Sequence, residues 1–347
     1  MSICKCTLRP VAILLLLGIG RLSILQGQIS EPCKGLGDLI LRDPPYAENK
    51  PVPVELSKSY GYVIGVELMT ERIAQTYPDL ASPARKSLLN FMEAWCSSAS
   101  RIKRALEPFT QMTPQDFDSL LTNSAVPLIN GLPLDRQIAN DFIAQLAEKA
   151  VGKYIESPVL ETLLVYRFPA APSEEIDAGF STRYRAEDNL RTHGLAFSAR
   201  LPITWQQNEE RLPNVVDMFV SENGRGREAI GFTIFENEVF TELSEEDLAL
   251  FLSEEGMRIL LPPGAVSGAV KKITLGGKPA VQVIFTNHVD VLDQSVLAKH
   301  IMFMTFFEGR QFILGGSVTD IQEAPLAAHF ERFLPFFRTV ASSLQFD

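Results

Sequence analysis

The residues best able to do chemistry are few and scattered. Histidines stand at 193, 288, 300 and 329. His288 and Asp290 fall two apart, on one face of a strand, and His300 opens the next apolar segment. If those segments pair suitably, the three form a two-histidine, one-carboxylate set of the kind that holds a transition metal. The reading adopted is the plainer one, a solvated polar sheet end. His193 and His329 have no acidic or cysteine partner at ligand spacing. Gly315-Gly316-Ser317 lacks the Gly-x-Ser-x-Gly spacing of a nucleophile elbow and sits within a strand pattern, so its glycines let a helix approach a sheet. Glu245, Glu246 and Asp247 fall in the first turn of a helix, where the macrodipole favours acids. Asn223-Gly224-Arg225-Gly226-Arg227 has neither the spacing nor the setting of a phosphate loop. No catalytic residue, metal site or cofactor is therefore assigned. The candidate contact residues are Arg225 and Arg227, a small basic tip on an acidic chain, and Trp205 at a strand end. Arginine and tryptophan are over-represented among residues that dominate interfaces. Trp95, on an apolar stripe, is assigned to the core.

The first 28 residues set the location in which such a contact would work. Lys5 and Arg9 make a basic head, Val11 to Gly20 an apolar run, and Arg21 to Gln28 a polar exit. That is the layout of a secretory signal peptide with cleavage near Gly27 or Gln28. The run is too short to cross a hydrocarbon core of roughly 30 Å as a helix. An uncleaved anchor extending to Leu25 is the alternative. The expected location is a periplasm or the exterior, with no stable transmembrane span after cleavage. The formal charge is −10; loss of Lys5, Arg9 and Arg21 makes the mature chain more acidic still. With no basic stripe, such a chain is not expected to bind nucleic acid, and the expected partner is another exported or envelope protein. Cleavage also removes Cys4 and Cys6. Cys33 and Cys96 remain, and in an oxidising compartment they either close a disulfide or leave Cys96 a buried thiol beside Trp95. A bridge would close a loop of about 60 residues, worth about 3–4 kcal/mol in the chain-entropy picture.

Two hydrophobic periods divide the remainder. From Ser59 to about Ile155 the period is helical. A first helix is expected over Tyr60–Thr76, before Pro78. Ser82-Pro83 then gives an N-cap and a first-turn proline. Leu88, Met92, Trp95, Ala99, Ile102 and Leu106 form one stripe, which Pro108 ends. Thr113-Pro114-Gln115-Asp116 starts another helix, and a further one runs from about Asp135 with Ile138, Phe142, Leu146 and Ala150 on one face. The stripes must bury against one another. Pro169, Pro172 and Ser173-Glu174-Glu175 interrupt this pattern as a linker over 166–184.

Beyond it the period is two. Leu195, Phe197, Ala199 and Leu201 alternate with polar residues until Pro202. Segments 215–220 and 229–235 flank Ser221–Arg227, whose Asn-Gly supplies positive φ. Ile273–Leu275 and Val281–Phe285 flank Gly276-Gly277, and His300–Phe307 and Gln311–Thr319 flank Glu308-Gly309-Arg310. A helix capped by Ser244 and a Phe-rich C-terminal helix, expected to kink or restart at Pro335, would cover the sheet on its two faces. The fold class is α+β: an N-terminal helical region (29–165), then an antiparallel-sheet α/β/α sandwich (185–347).

The opening strand ending Leu-Pro-Ile-Thr-Trp, the Gly-Gly-Lys-Pro-Ala turn entering Val-Gln-Val-Ile-Phe, and the closing strand pair with its Phe-rich helix resemble the PsbP/Mog1/DcrB-like superfamily. The resemblance covers about residues 185–347 and rests on turn and core residues. It implies a non-enzymatic binding, assembly or adaptor role and carries no catalytic residue onto this chain. The expected function is an exported, non-catalytic binding or adaptor protein. The alternatives are a periplasmic hydrolase with a site between the two halves, or a carrier of a small ligand or lipid.

Overall fold

The computed structural model describes residues 53–347 except 111–112, 170, 188, 209–213, 237–243, 263, 269 and 292–293. The leader and Cys33 lie outside the described residues. The chain divides into two compact units between Pro169 and Ala170.

The first unit is a helical bundle: α1 Pro53–Thr76, α2 Ala81–Thr110, α3 Pro114–Gly131, α4 Arg136–Ala150 and α5 Ser157–Val165. The stripe from Leu88 to Leu106 on α2 is buried throughout, Trp95 and Ile102 completely. Thr113 caps α3 by accepting from the Asp116 amide, and Asp135 caps α4 by accepting from the Ile138 amide at 2.8 Å. Both caps satisfy helix-start amides that have no intrahelical partner. Two boundaries differ from expectation. Helix α2 starts at Ala81, with Ser82 and Pro83 inside its first turn, and it runs past Pro108 to Thr110. A proline that close to a helix end deprives the ladder of one bond and does not stop it at once.

Helix α1 is buried almost all round, so amphipathic periodicity cannot describe it. Leu56, Tyr60, Val63, Val66 and Met69 are closed off, and so is Glu67, at 1% exposure. Tyr60 stacks on Phe117 and donates its hydroxyl to Asp118 at 2.8 Å, while Lys103 binds the same carboxylate. Trp95 donates to the carbonyl of Lys149 at 2.9 Å, which ties α2 to α4.

The second unit opens with the short helix α6 Ser173–Asp177 and strand β1 Ser181–Arg185, both inside the stretch expected to be linker. Glu175 and Ile176 of α6 are buried, because the acidic run turns one carboxylate inward to a partner instead of out to water. The remaining elements are β2 Phe197–Pro202, β3 Gln206–Asn208, β4 Val215–Val220, β5 Glu228–Glu236, α7 Glu245–Phe251, α8 Glu254–Leu260, β6 Val266–Ser267, β7 Lys271–Leu275, β8 Lys278–Val291, β9 Gln294–Phe307, β10 Arg310–Asp320, α9 Glu323–Ser342 and β11 Gln345–Phe346. They form an eight-stranded antiparallel sheet in the order β3-β4-β5-β10-β9-β8-β6, with β7 also on β8, and a small sheet β1-β2-β11.

One core lies against α9 and the small sheet, built from Phe197, Phe232, Phe312, Phe330, Phe336 and Phe337. The other joins Val281, Val283, Phe285 and Met304 of the sheet to Leu252, at the end of α7, and Met257 of α8. The sandwich expected from the sequence is thus present. Gly316 is where α9 comes closest: a β-carbon there would lie 2.5 Å from the Phe337 ring. Gly315, pointing to the other face, meets nothing within 4 Å. Helix α9 passes through Pro335 without a restart. Burial of Phe333, Phe336 and Phe337 around that proline outweighs a lost ladder bond costing about 3 kcal/mol.

Two hairpins close as the glycines require. Leu275 pairs with Lys278 across Gly276-Gly277, and Phe307 with Arg310 across Glu308-Gly309, all four turn residues having positive φ. This is the backbone of a tight I′ turn. The β8–β9 hairpin is longer than the apolar pattern indicates, because ladder pairing continues through Asn287, His288 and Asp290 whether or not their side chains are apolar.

Candidate functional site

The loop between β4 and β5 departs from an ordinary hairpin. Val220 pairs with Ala229, and three successive residues beyond Ser221 turn left-handed: Glu222 (φ 51°), Asn223 (φ 57°) and Gly224 (φ 81°). Glycine accepts this conformation freely and asparagine tolerates it. For glutamate it costs about 1–2 kcal/mol, so the surroundings must hold it there.

They do so from beneath. The Ser221 carbonyl accepts from the amides of Arg225 and Gly226, at 3.1 and 3.0 Å. The Ser221 hydroxyl donates to one oxygen of Glu228, and His329 of α9 meets the other oxygen through Nε2. Glu228 is 0% exposed, Ser221 3% and His329 8%. Gly226 makes the packing possible, since a β-carbon there would lie 1.7 Å from the Ser221 Oγ. On the far side the Asn223 amide donates to the Thr204 carbonyl at 2.7 Å. Burial, followed by the nearness of Glu228, pushes the Glu222 carboxyl up to about 8, against the opposing pull of Arg332 and Arg225.

Serine, glutamate and histidine in contact invite comparison with a hydrolytic triad, and the order decides the matter. In a triad the histidine stands between nucleophile and acid, so that it can take the hydroxyl proton. Here the carboxylate stands between the other two, and all three are closed to solvent. The group works as a fastener that fixes the turn.

The three contact residues named from the sequence come out differently. Trp205 is not at an exposed rim: it is 7% exposed and stacks on Phe336 with ring centroids 4.5 Å apart. A tryptophan just past a strand end reads as exposed until α9 is laid over it. Arg227 reaches Asp320 at 3.4 Å, with both side chains largely covered, so it fastens β5 to the end of β10. Arg225 is half-buried on the tip. Ser221, Glu228, His329 and Thr204 were missed. Asn223-Gly224 was the only local signal, and nothing in the sequence ties position 228 to position 329.

The two histidines of the possible metal set are not cross-strand partners. His288 pairs across the ladder with Leu297, and His300 with Phe285. His300 stacks on Phe285 at 4.7 Å and sits 2.7 Å from the Asn287 oxygen, and burial pushes it down to about 4. Among the described residues no three histidine, cysteine or acidic side chains gather at metal-holding distance. The other two histidines acquire the acids that local spacing denied them, at the two ends of one strand: Glu228 for His329, and Glu236 for His193 at 3.1 Å. Ser244 and Asp247 close a capping box on α7, which accounts for the acid at 247. Cys96 is buried at 2% on α2 beside Trp95. Among the described residues no helix is long and apolar enough to cross a membrane.

Fold and site together define an antiparallel α/β/α sandwich with a fastened left-handed hairpin tip, which follows a helical bundle in the sequence. Among solved structures the chain is similar to the solution structure of cyanobacterial PsbP (CyanoP) from Synechocystis sp. PCC 6803, at 16% identity over 48% of this chain and 92% of that one, with a TM-score of 0.31. It is also similar to a crystal structure from Bacteroides thetaiotaomicron VPI-5482, at 11% identity over 44% of this chain and 45% of that one, with a TM-score of 0.27. No protein-family model and no curated protein matches the chain.

Proposed function

We propose that this is an exported, non-catalytic binding or adaptor protein, and that the 221–227 tip is its contact with another exported or envelope protein. The observation that carries the reading is the tip itself. Two consecutive non-glycine residues, Glu222 and Asn223, hold left-handed backbone over a buried Ser221–Glu228–His329 fastener. Backbone strain of this kind persists only where the surroundings over-determine it, and it collects at sites of function. A surface fixed before contact also avoids the ordering cost of binding.

Arg225→Glu tests this reading. It is a better probe than the double reversal that the sequence suggests, because Arg227 carries a structural contact with Asp320. Arg225 also pulls on Glu222, so the variant's melting is measured beside its binding. The variant should lose a protein that the parent captures from an envelope fraction, most clearly at low salt, where exposed charge is least screened. Equal capture of that protein by parent and variant would remove the tip as the contact.

Export and the cysteine pair are tested together by mass spectrometry of the mature protein, alkylated without reduction. The expected N-terminus lies near residue 28, with Cys33 and Cys96 both unlabelled. An intact Met1 or Ser2 would argue against cleavage, and two labelled cysteines against the bridge.

A further inference from the structure

The outward face of the small sheet carries three arginines on a chain whose formal charge is −10. Strand β1 pairs with β2 so that Arg183 lies opposite Arg200 and Arg185 opposite Ser198. Residues two apart on a strand share a face. Arg183, Arg185 and Arg200 therefore stand together, with Ser181, Ser198 and Gln345 among them. The other face turns Tyr184, Phe197, Ala199 and Leu201 into the core. All three arginines are exposed. Like charges set directly opposite on a ladder destabilise it, so fold stability gives no reason for pairing Arg183 with Arg200.

Neutral groups hold that pair in place. Arg183 donates through one terminal nitrogen to the Ser198 hydroxyl at 2.9 Å and to the Gln345 side-chain oxygen at 2.6 Å. Arg200 donates to the Ser181 hydroxyl at 3.0 Å and to the Ile176 carbonyl at 3.1 Å. Among the described residues no carboxylate lies at ion-pair distance from either. Arg185 differs: it meets Glu187 at 2.7 Å, and Asp347 acts on it as well. That exposed bridge is worth little, and a partner's carboxylate can replace it. A guanidinium has five donors, so Arg183 and Arg200 keep N–H groups to spare. Two fixed guanidinia without a counter-charge are thus ready for an oxyanion, which arginine holds by two parallel bonds.

We propose that this face docks an extended acidic segment of a partner protein, with carboxylates at alternate positions over Arg183 and Arg185 and beside Arg200. Charge calls for an acid. Spacing calls for an extended one, because residues two apart on any strand lie about 6.7 Å apart, the interval from Arg183 to Arg185. The edge is open: β1 ends the order β1-β2-β11, and Thr182, which points to the other face, is exposed too. A strand laid there would gain main-chain bonds from β1, while the arginines select its side chains. Charged residues also deter unwanted pairing at a sheet edge. Arg200 stands on the central strand of the three, where there is no edge to protect. The proposal does not rest on the 221–227 tip, which joins β4 to β5.

The test is binding of a blocked nonapeptide of alternating threonine and glutamate to the full chain, with glutamine in place of glutamate as the control. The parent should bind the acidic peptide and not the control, and more weakly as salt rises, because exposed charge is screened. Arg183→Gln together with Arg200→Gln should weaken binding about tenfold or more, since charged hydrogen bonds are the strong ones. Arg183→Lys together with Arg200→Lys keeps the charge without the paired donors, and should bind more tightly than the glutamine pair. Arg185→Gln breaks no contact within the sheet and should also weaken binding, so the result does not depend on the double variant folding. Arg225→Glu should bind the peptide as the parent does, which separates this face from the tip. Absence of binding by the parent, or equal binding by the glutamine pair, would overturn the proposal. So would binding of phosphatidylglycerol vesicles in place of the peptide, by making the face a membrane surface.

Discussion

Replacing Glu67 by glutamine should stabilise the helical unit by about 3 kcal/mol at pH 7 and leave it nearly unchanged near pH 4. Glu67 is closed off on α1 and its Oε1 has no hydrogen-bond partner. Burial, and then the charge of Asp118, push its carboxyl up to about 10. In the unfolded chain the same group ionises near its ordinary value of 4.5. The folded state therefore holds a proton that the unfolded state releases as pH rises. Such a raised carboxylate contributes stability that is fully present below about 4.5 and is lost progressively as pH climbs towards about 10. By pH 7 the loss covers about two and a half pH units, at about 1.4 kcal/mol each. Glutamine keeps the shape, has no proton to lose and escapes the penalty. Denaturant unfolding at the two pH values, followed by a probe in the first unit such as Trp95, measures it. A variant no more stable than its parent at pH 7 would show that Glu67 has a counter-charge or proton partner in solution.

Truncating Glu228 to alanine should act in the opposite direction and cost about 3 kcal/mol or more. The carboxylate takes the Ser221 hydroxyl on one side and His329 on the other, with no exposure to water. Removing one member of a buried polar group leaves the others facing a cavity, which costs more than the net worth of the contact. The turn above should lose its fastening together with the stability. The Glu222 carboxyl should also titrate lower, because Glu228 is the charge that adds to burial in raising it. Glu228→Gln, which keeps the volume and one acceptor, should cost less than alanine. Thermal or denaturant unfolding reads the stability, and hydrogen exchange at 222–226 reads the turn. A Glu228→Ala variant within about 0.5 kcal/mol of its parent would mean that the three side chains do not fasten the tip.

Both predictions turn on buried acids, and acids are the residues a sequence reading sends to the surface. Glu67 and Glu228 carry no local mark of their burial. Glu175 stood in a run that read as a solvated linker, and it became legible only when Thr204 closed over it.

Read alone, the sequence determined the two periods, the helical bundle followed by an antiparallel sandwich, the caps at Thr113 and Ser244, and the glycine turns at 276–277 and 308–309. These features are local. A cap, a turn or an amphipathic stripe is specified within one or two turns of helix or one hairpin, by backbone sterics and side-chain spacing that travel with the residues. Tertiary structure alone decided the site. It buried Trp205 under Phe336, turned Arg227 to Asp320, and brought His329 to Glu228 across a sequence separation that no spacing rule spans. Packing sets such contacts, through the register of β5 against β10 and the seat of α9 on Gly316, and each depends on residues far apart in the chain adopting their places together.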